Sequence, residues 1–137
     1  MGRRLIVSAH LDDALLSAWH GIVGGPATVV TVFAGVPKTS VAPAWDRACG
    51  YEDSTALMTQ RRVEDAEAVE SLGGRTVHLD FLDHQYREGP PPRQAILDAL
   101  IALLTDGDTD YDEVWLPAGI GGGGSLPVGR FHTSLNE

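Results

Sequence analysis

The stretch Leu5-Ile6-Val7-Ser8-Ala9-His10-Leu11-Asp12-Asp13 starts as a buried strand and ends on three residues able to hold a cation or move a proton. An apolar run this short, with β-branched residues at its centre, suits a parallel strand covered on both faces. Behind it, Asp13 to Val23 places Leu15, Leu16, Trp19 and Ile22 at helical spacing, and Gly24-Gly25-Pro26 stops that helix. Ala27 to Ala34 is a second run of strand-forming residues, so the chain opens with a β-α-β unit.

The pattern continues outward from there. Gly35 to Thr55 has no steady period and reads as a long loop. Ala56 to Leu72 fits a helix, with Leu57, Val63, Ala66, Ala68, Val69 and Leu72 apolar and Gly73-Gly74 as its stop. Thr76 to Leu82 is a third strand, and Glu88 to Pro92 breaks the chain. Arg93 to Leu104 is a further helix whose inner face is expected to be Ile96, Leu97, Leu100, Ile101 and Leu104, and Glu113 to Leu116 supplies a fourth strand. Alternating strands and helices predict a doubly wound, mostly parallel α/β sheet in three layers, in which ligands bind beyond the carboxyl ends of the strands. His10 to Asp13 lies at such an end.

Residues 1–137 fit one domain, with Gly119 to Glu137 as an irregular glycine-rich tail. A hydrophobic fraction of 43% and a charged fraction of 21% are those of an ordinary soluble globule. No apolar run approaches the roughly 20 residues that span a bilayer, and the start of the chain reads as strand rather than signal peptide. The net charge of −9 argues against nucleic acid as a partner. A lone cysteine, Cys49, gives no internal disulfide and no cysteine zinc framework, which suits the cytoplasm and leaves any metal to His, Asp and Glu.

Imidazole and carboxylate both bind Zn²⁺ well, and a catalytic site keeps a position open for water. His10 and Asp13 offer two such donors, leaving Asp12 to take the proton from a water that the cation has acidified. The same residues admit a plainer reading, in which Asp12 or Asp13 caps the helix and His10 is a satisfied polar residue at a strand end.

Further motifs follow in order: Trp45-Asp46, Cys49-Gly50-Tyr51, the helix pattern Arg61-x-x-Glu64-x-x-x-Ala68-x-x-x-Leu72-Gly73, and Leu79-x-x-x-Asp83. With Ala9-His10-x-Asp12-Asp13, this set resembles the PIG-L/LmbE-like family of zinc-dependent N-deacetylases, over about Leu5 to Gly122. The resemblance implies a Rossmann-like fold and removal of acetyl from an N-acetylglucosaminyl-type small glycoconjugate. It implies His10 and Asp13 as zinc ligands, Asp12 as general base, and Arg61 and Asp83 as contacts to sugar hydroxyls. For Arg61 a surface pair with Glu64 is the alternative, and for Asp83 simple turn formation.

Two departures stand out. Ala14 occupies a position where the family usually has Glu, a commonly variable one. More seriously, Pro117-Ala118-Gly119-Ile120-Gly121 resembles the turn that precedes the family's His-x-Asp-His, yet this chain continues Gly122-Gly123-Gly124-Ser125 and holds no His-x-Asp-His. His132 comes about ten residues late. Of the others, His20 is expected on the surface or in a groove, His78 in the core of the third strand, and His84 as the better stand-in ligand. The change to glycine-rich sequence suggests a C-terminal part lost by truncation or a shifted frame, leaving a sheet side open to self-association. Two further readings are a non-catalytic module that keeps a sugar or metal site, and a nucleotide binder. The second is weaker because the glycines do not form Gly-x-Gly-x-x-Gly between a strand and a helix.

Overall fold

The computed structural model describes residues 2–38, 47–48, 50, 53–106 and 110–117. The elements are β1 (Arg4–Ser8), α1 (Asp13–Ser17), α2 (Trp19–Val23), β2 (Ala27–Thr31), α3 (Ser54–Ser71), β3 (Arg75–His78), a 3₁₀ turn (His84–Tyr86), α4 (Arg93–Thr105) and β4 (Glu113–Trp115). The four strands form one parallel sheet in the order β3-β2-β1-β4. This is the predicted α/β architecture.

Alternation along β1 sorts its side chains into two cores. Leu5 and Val7 pack with Val30, Val32, Phe33 and Ile96 on the face covered by α4. Ile6 points the other way, to Ala14, Ile22, Val29 and Val69 beneath α1, α2 and α3. Helices on both faces make three layers, and β1 and β2 are buried because each also has a strand on both sides.

Several boundaries differ from expectation for identifiable reasons. The expected Asp13 to Val23 helix is two short helices, parted at Ala18 with φ −133° and ψ 19°. Ser17 Oγ donates to the Asp13 carbonyl at 2.6 Å, a local bond of the kind that competes with a continuing helix. The break turns Leu16 out to 82% exposure and leaves Trp19 exposed, so Ala14 and Ile22 face the core instead. In α4 the inner face is Ile96, Leu100 and Leu103, while Leu97, Ile101 and Leu104 are exposed. The apolar stripe there is wider than the core, and the sequence alone did not say which edge of it would be covered.

Beyond β2 the pairing continues irregularly: the Val32 and Phe33 amides donate to the Ser8 and Ala9 carbonyls, and Phe33 bridges Asp80. β3 stops as a regular strand at His78, short of the expected Leu82, although the Leu79 amide still donates to Thr31. α3 starts two residues early because Asp53 caps it, accepting from the Thr55 amide at 2.9 Å. It ends in a Schellman motif: the Gly74 amide donates to Val69, the Gly73 amide donates to Glu70, and Gly73 sits at φ +88°. The readings placed on Trp45, Asp46, Cys49, Tyr51, the turn at 118–121, the 119–137 tail and His132 lie outside the described residues.

Leu5→Ala removes a side chain buried at the centre of the sheet and should cost roughly 2–5 kcal/mol. Leu97→Ala, on the exposed edge of α4, should stay within about 0.5 kcal/mol of the parent. Urea unfolding of the two variants checks the assignment; equal losses would place Leu97 in the core.

Candidate functional site

The sheet order places the site. β1 runs beside β2 on one flank and β4 on the other, so its carboxyl end lies where the strand order reverses, the usual ligand crevice of such sheets. The chain leaves β1 through a tight turn. Ser8 Oγ donates to the His10 carbonyl at 2.7 Å, and the Asp13 amide donates to the same carbonyl at 3.3 Å.

Within that turn Asp12 has φ 71° and ψ −15°, alone among the described non-glycine residues in having positive φ. The left-handed region costs an ordinary L-residue about 1–2 kcal/mol, less for Asp or Asn. Asp12 precedes α1, yet its side chain makes no capping hydrogen bond. Asp13, the first residue of α1, turns its Oδ2 back to accept from the His10 amide at 3.1 Å. The capping reading therefore does not account for either carboxylate.

His10 lies between two acids. Its Nδ1 is 3.6 Å from Asp13 Oδ2 and its Nε2 is 3.0 Å from Asp83 Oδ1. The ring also stacks on Phe33, centroids 5.7 Å apart. Burial by itself would lower the pKa of His10; hydrogen bonds with Asp13 and Asp83, and their charges, overcome burial and raise it to about 9. Asp83 shows the converse: burial would raise its carboxyl, and the His10 hydrogen bond and charge, with the His84 amide, bring it below its ordinary value. Partial burial raises Asp12; Arg61 opposes this, and the charges of Asp65, Glu64 and Asp13 add to it.

This donor set suits a divalent cation. Two ligands of a tetrahedral zinc at about 2.0–2.1 Å stand roughly 3.3 Å apart, close to the His10 Nδ1 to Asp13 Oδ2 separation. Asp83, on the far ring nitrogen, occupies the position of the carboxylate that commonly orients a metal-binding histidine. Among the described residues no three His, Cys, Asp or Glu side chains form a group that would hold a metal.

Other expected residues are distributed as follows. Arg61 is half-buried on α3, its charge felt at Asp12, while Glu64 accepts from Gln60 at 3.1 Å. His84 is exposed and its amide donates to Asp83 at 2.7 Å. His20 is exposed, its ring 5.3 Å from that of Trp115. His78 is largely buried, its Nε2 2.8 Å from Asp65 Oδ2. Asp65 is the residue that sequence reasoning missed: 2% exposed, it also accepts the Asp12 amide at 3.0 Å. Within Arg61-Arg62-Val63-Glu64-Asp65-Ala66-Glu67, nothing distinguishes the one acid that faces inward.

No family model matches the sequence, and no curated protein matches it. Solved structures do. The chain is similar to an antimicrobial pseudoaglycone deacetylase, Dbv21, with TM-score 0.77 and 30% identity over 98% of this chain and 56% of that one. It is similar to a deacetylase solved with teicoplanin, from the teicoplanin biosynthesis pathway, with TM-score 0.75 and 27% identity over 96% of this chain and 62% of that one. A 4-carboxy-2-hydroxymuconate hydratase from Pseudomonas putida KT2440 shares the fold, with TM-score 0.67 and 20% identity over 99% of this chain and 55% of that one. The chain thus spans little more than half the length of these structures. Two of these structural neighbours are deacetylases, and among the described residues no helix is long and apolar enough to cross a membrane.

The left-handed backbone at Asp12 makes a stability prediction. Asp12→Asn should fold about as well as the parent, and Asp12→Val should cost about 1–2 kcal/mol more, because a β-branched residue is strained at positive φ. Urea midpoints of the two variants measure this, and equal midpoints would deny the strain.

Proposed function

We propose that this chain carries the base-bearing half of a zinc-dependent deacetylase site, acting on an N-acetylglucosaminyl-type sugar of a small glycoconjugate. The observation that carries the reading is the edge formed by His10 Nδ1 and Asp13 Oδ2, 3.6 Å apart, in the same turn as an Asp12 whose side chain is not used as a helix cap. Similarity to deacetylases at 30% and 27% identity supports the same reaction class.

In this reading His10 and Asp13 hold the zinc, which when bound would polarise the acetyl carbonyl and acidify a water. Asp12 takes a proton from a water molecule as the oxygen of that molecule bonds to the acetyl carbonyl carbon. The C–N bond then breaks, and protonated Asp12 is placed to return the proton to the leaving amine nitrogen, so acetate and a free amino sugar result. The upward shift of Asp12 suits this two-way role, because a base that must also act as acid works best with its pKa nearer neutrality. Asp83 holds the His10 ring through Oδ1. Arg61 and the second oxygen of Asp83 are the proposed contacts to sugar hydroxyls.

A second reading draws on the same triad. His10, held charged between Asp13 and Asp83, is also a self-sufficient ion cluster, which a non-catalytic sugar-binding module could retain for structure.

The two readings separate on metal and product. The deacetylase reading predicts zinc retained by the purified protein and lost in Asp13→Ala, with acetate release from N-acetylglucosaminyl conjugates. It further predicts that Asp12→Asn keeps the zinc and lowers kcat by about 10²–10⁴-fold, the usual contribution of a positioned base. Absence of bound zinc at micromolar metal, measured by elemental analysis, would overturn it.

A further inference from the structure

Asp65 projects from the middle of α3 into the protein, 2% exposed, and both of its oxygens are engaged. Oδ1 accepts the Asp12 amide at 3.0 Å, and Oδ2 accepts from His78 Nε2 at 2.8 Å. A carboxylate is a poor choice for that depth if filling space were its only use, since a buried charge is costly unless paired and hydrogen-bonded. Asp65 and its two partners lie on three separate parts of the chain: helix α3, the turn after β1 and strand β3. The backbone it grips belongs to Asp12, the described non-glycine residue with positive φ.

We infer that Asp65 and His78 form a buried positioning pair for Asp12, acting through its amide to hold the left-handed backbone that aims its carboxylate. His78 donates Nε2–H to Oδ2 and thereby turns Oδ1 toward the Asp12 amide. The φ and ψ of Asp12 set the direction of its Cα–Cβ bond, so a relaxed backbone would redirect its carboxylate. Misplacement of a reacting group by about 1 Å can cost 10²-fold in rate. Arg61, Glu64 and Asp13 act on Asp12 through charge alone, whereas Asp65 also bonds its backbone.

The inference rests on the reading of Asp12 as base, and its test separates the two. Asp65→Ala, Asp65→Asn and His78→Phe are made in the full chain with zinc supplied. Amide hydrogen exchange at Asp12 reads the positioning directly, whether or not the protein hydrolyses anything. Slow exchange is expected in the parent and in Asp65→Asn, whose amide oxygen still accepts, and fast exchange in Asp65→Ala. In deacetylase assays Asp65→Ala should lose about 10²-fold in kcat with KM and zinc content within twofold, and Asp65→Asn should recover most of the rate. A residue that only supports the fold would not produce loss confined to kcat with rescue by the amide.

Should Asp65→Ala fail to fold, His78→Phe carries the test, with faster Asp12 exchange and a smaller loss confined to kcat expected. Unchanged Asp12 exchange in a folded Asp65→Ala, or in His78→Phe where only that folds, overturns the inference. A parent without deacetylase activity, but with Asp12 exchange responding as described, overturns the catalytic reading and leaves the backbone role standing.

Discussion

Both faces and both edges of β1 and β2 are covered, and this constraint arranges everything else. The buried interior of such a strand has no room for a charged side chain, and in β1 only Arg4, at its first position, carries one. Leu5, Ile6 and Val7 fill the two cores, and the first titratable group after β1 is His10, two residues past its end. Polar chemistry is driven to the strand ends, where the backbone leaves the ladder and amides become free to bind side chains. There the His10 amide is bound by Asp13 and the Asp12 amide by Asp65.

The strand ends then have an electrostatic problem of their own. Asp12, Asp13, Asp65 and Asp83 gather in a chain already carrying a net charge of −9. Imidazoles and main-chain amides absorb this charge. His10 serves Asp13 and Asp83, while His78 and the Asp12 amide share Asp65. Partial burial is the main cause that raises the Asp12 carboxyl; Arg61 is its counter-charge and opposes this, while the charges of Asp65, Glu64 and Asp13 add to it. One acid held apart from its neighbours in this manner is the arrangement a general base needs.

Much of this was legible in the sequence, and the reasons differ element by element. β1 and β2 announce themselves because burial on two faces demands continuous apolar runs. Gly73-Gly74 marks the end of α3 because the Schellman turn needs positive φ. His10, Asp12 and Asp13 are visible because polar residues right after a buried strand are conspicuous. The division of α1 from α2 was hidden, since a hydroxyl bonding back to Asp13 leaves no trace in the apolar spacing. The covered edge of α4 depended on how the helix sits on the sheet. Asp65 was hidden most completely: inward and outward acids look alike within a charged helix, and its meaning comes from a partner 53 positions away in sequence. Asp83 could be seen at its strand end, but its bond to His10 joins residues 73 positions apart.

Topology also bears on how the His10–Asp13 edge would be completed under the zinc reading. On the β2 and β3 side, Phe33 stacks on the imidazole and Asp83 takes its second nitrogen, so that flank orients His10 rather than adding a donor beside Asp13. The reversal of strand order lies on the other flank, between β1 and β4. From Pro117 to Phe131 the sequence holds no His, Asp, Glu or Cys. A two-donor edge binds zinc more weakly than a three-ligand site, which leaves more of the coordination shell to water and substrate oxygens. Under the zinc reading, the hold of Asp83 on His10 and of Asp65 on the Asp12 backbone would organise that edge from the protein side.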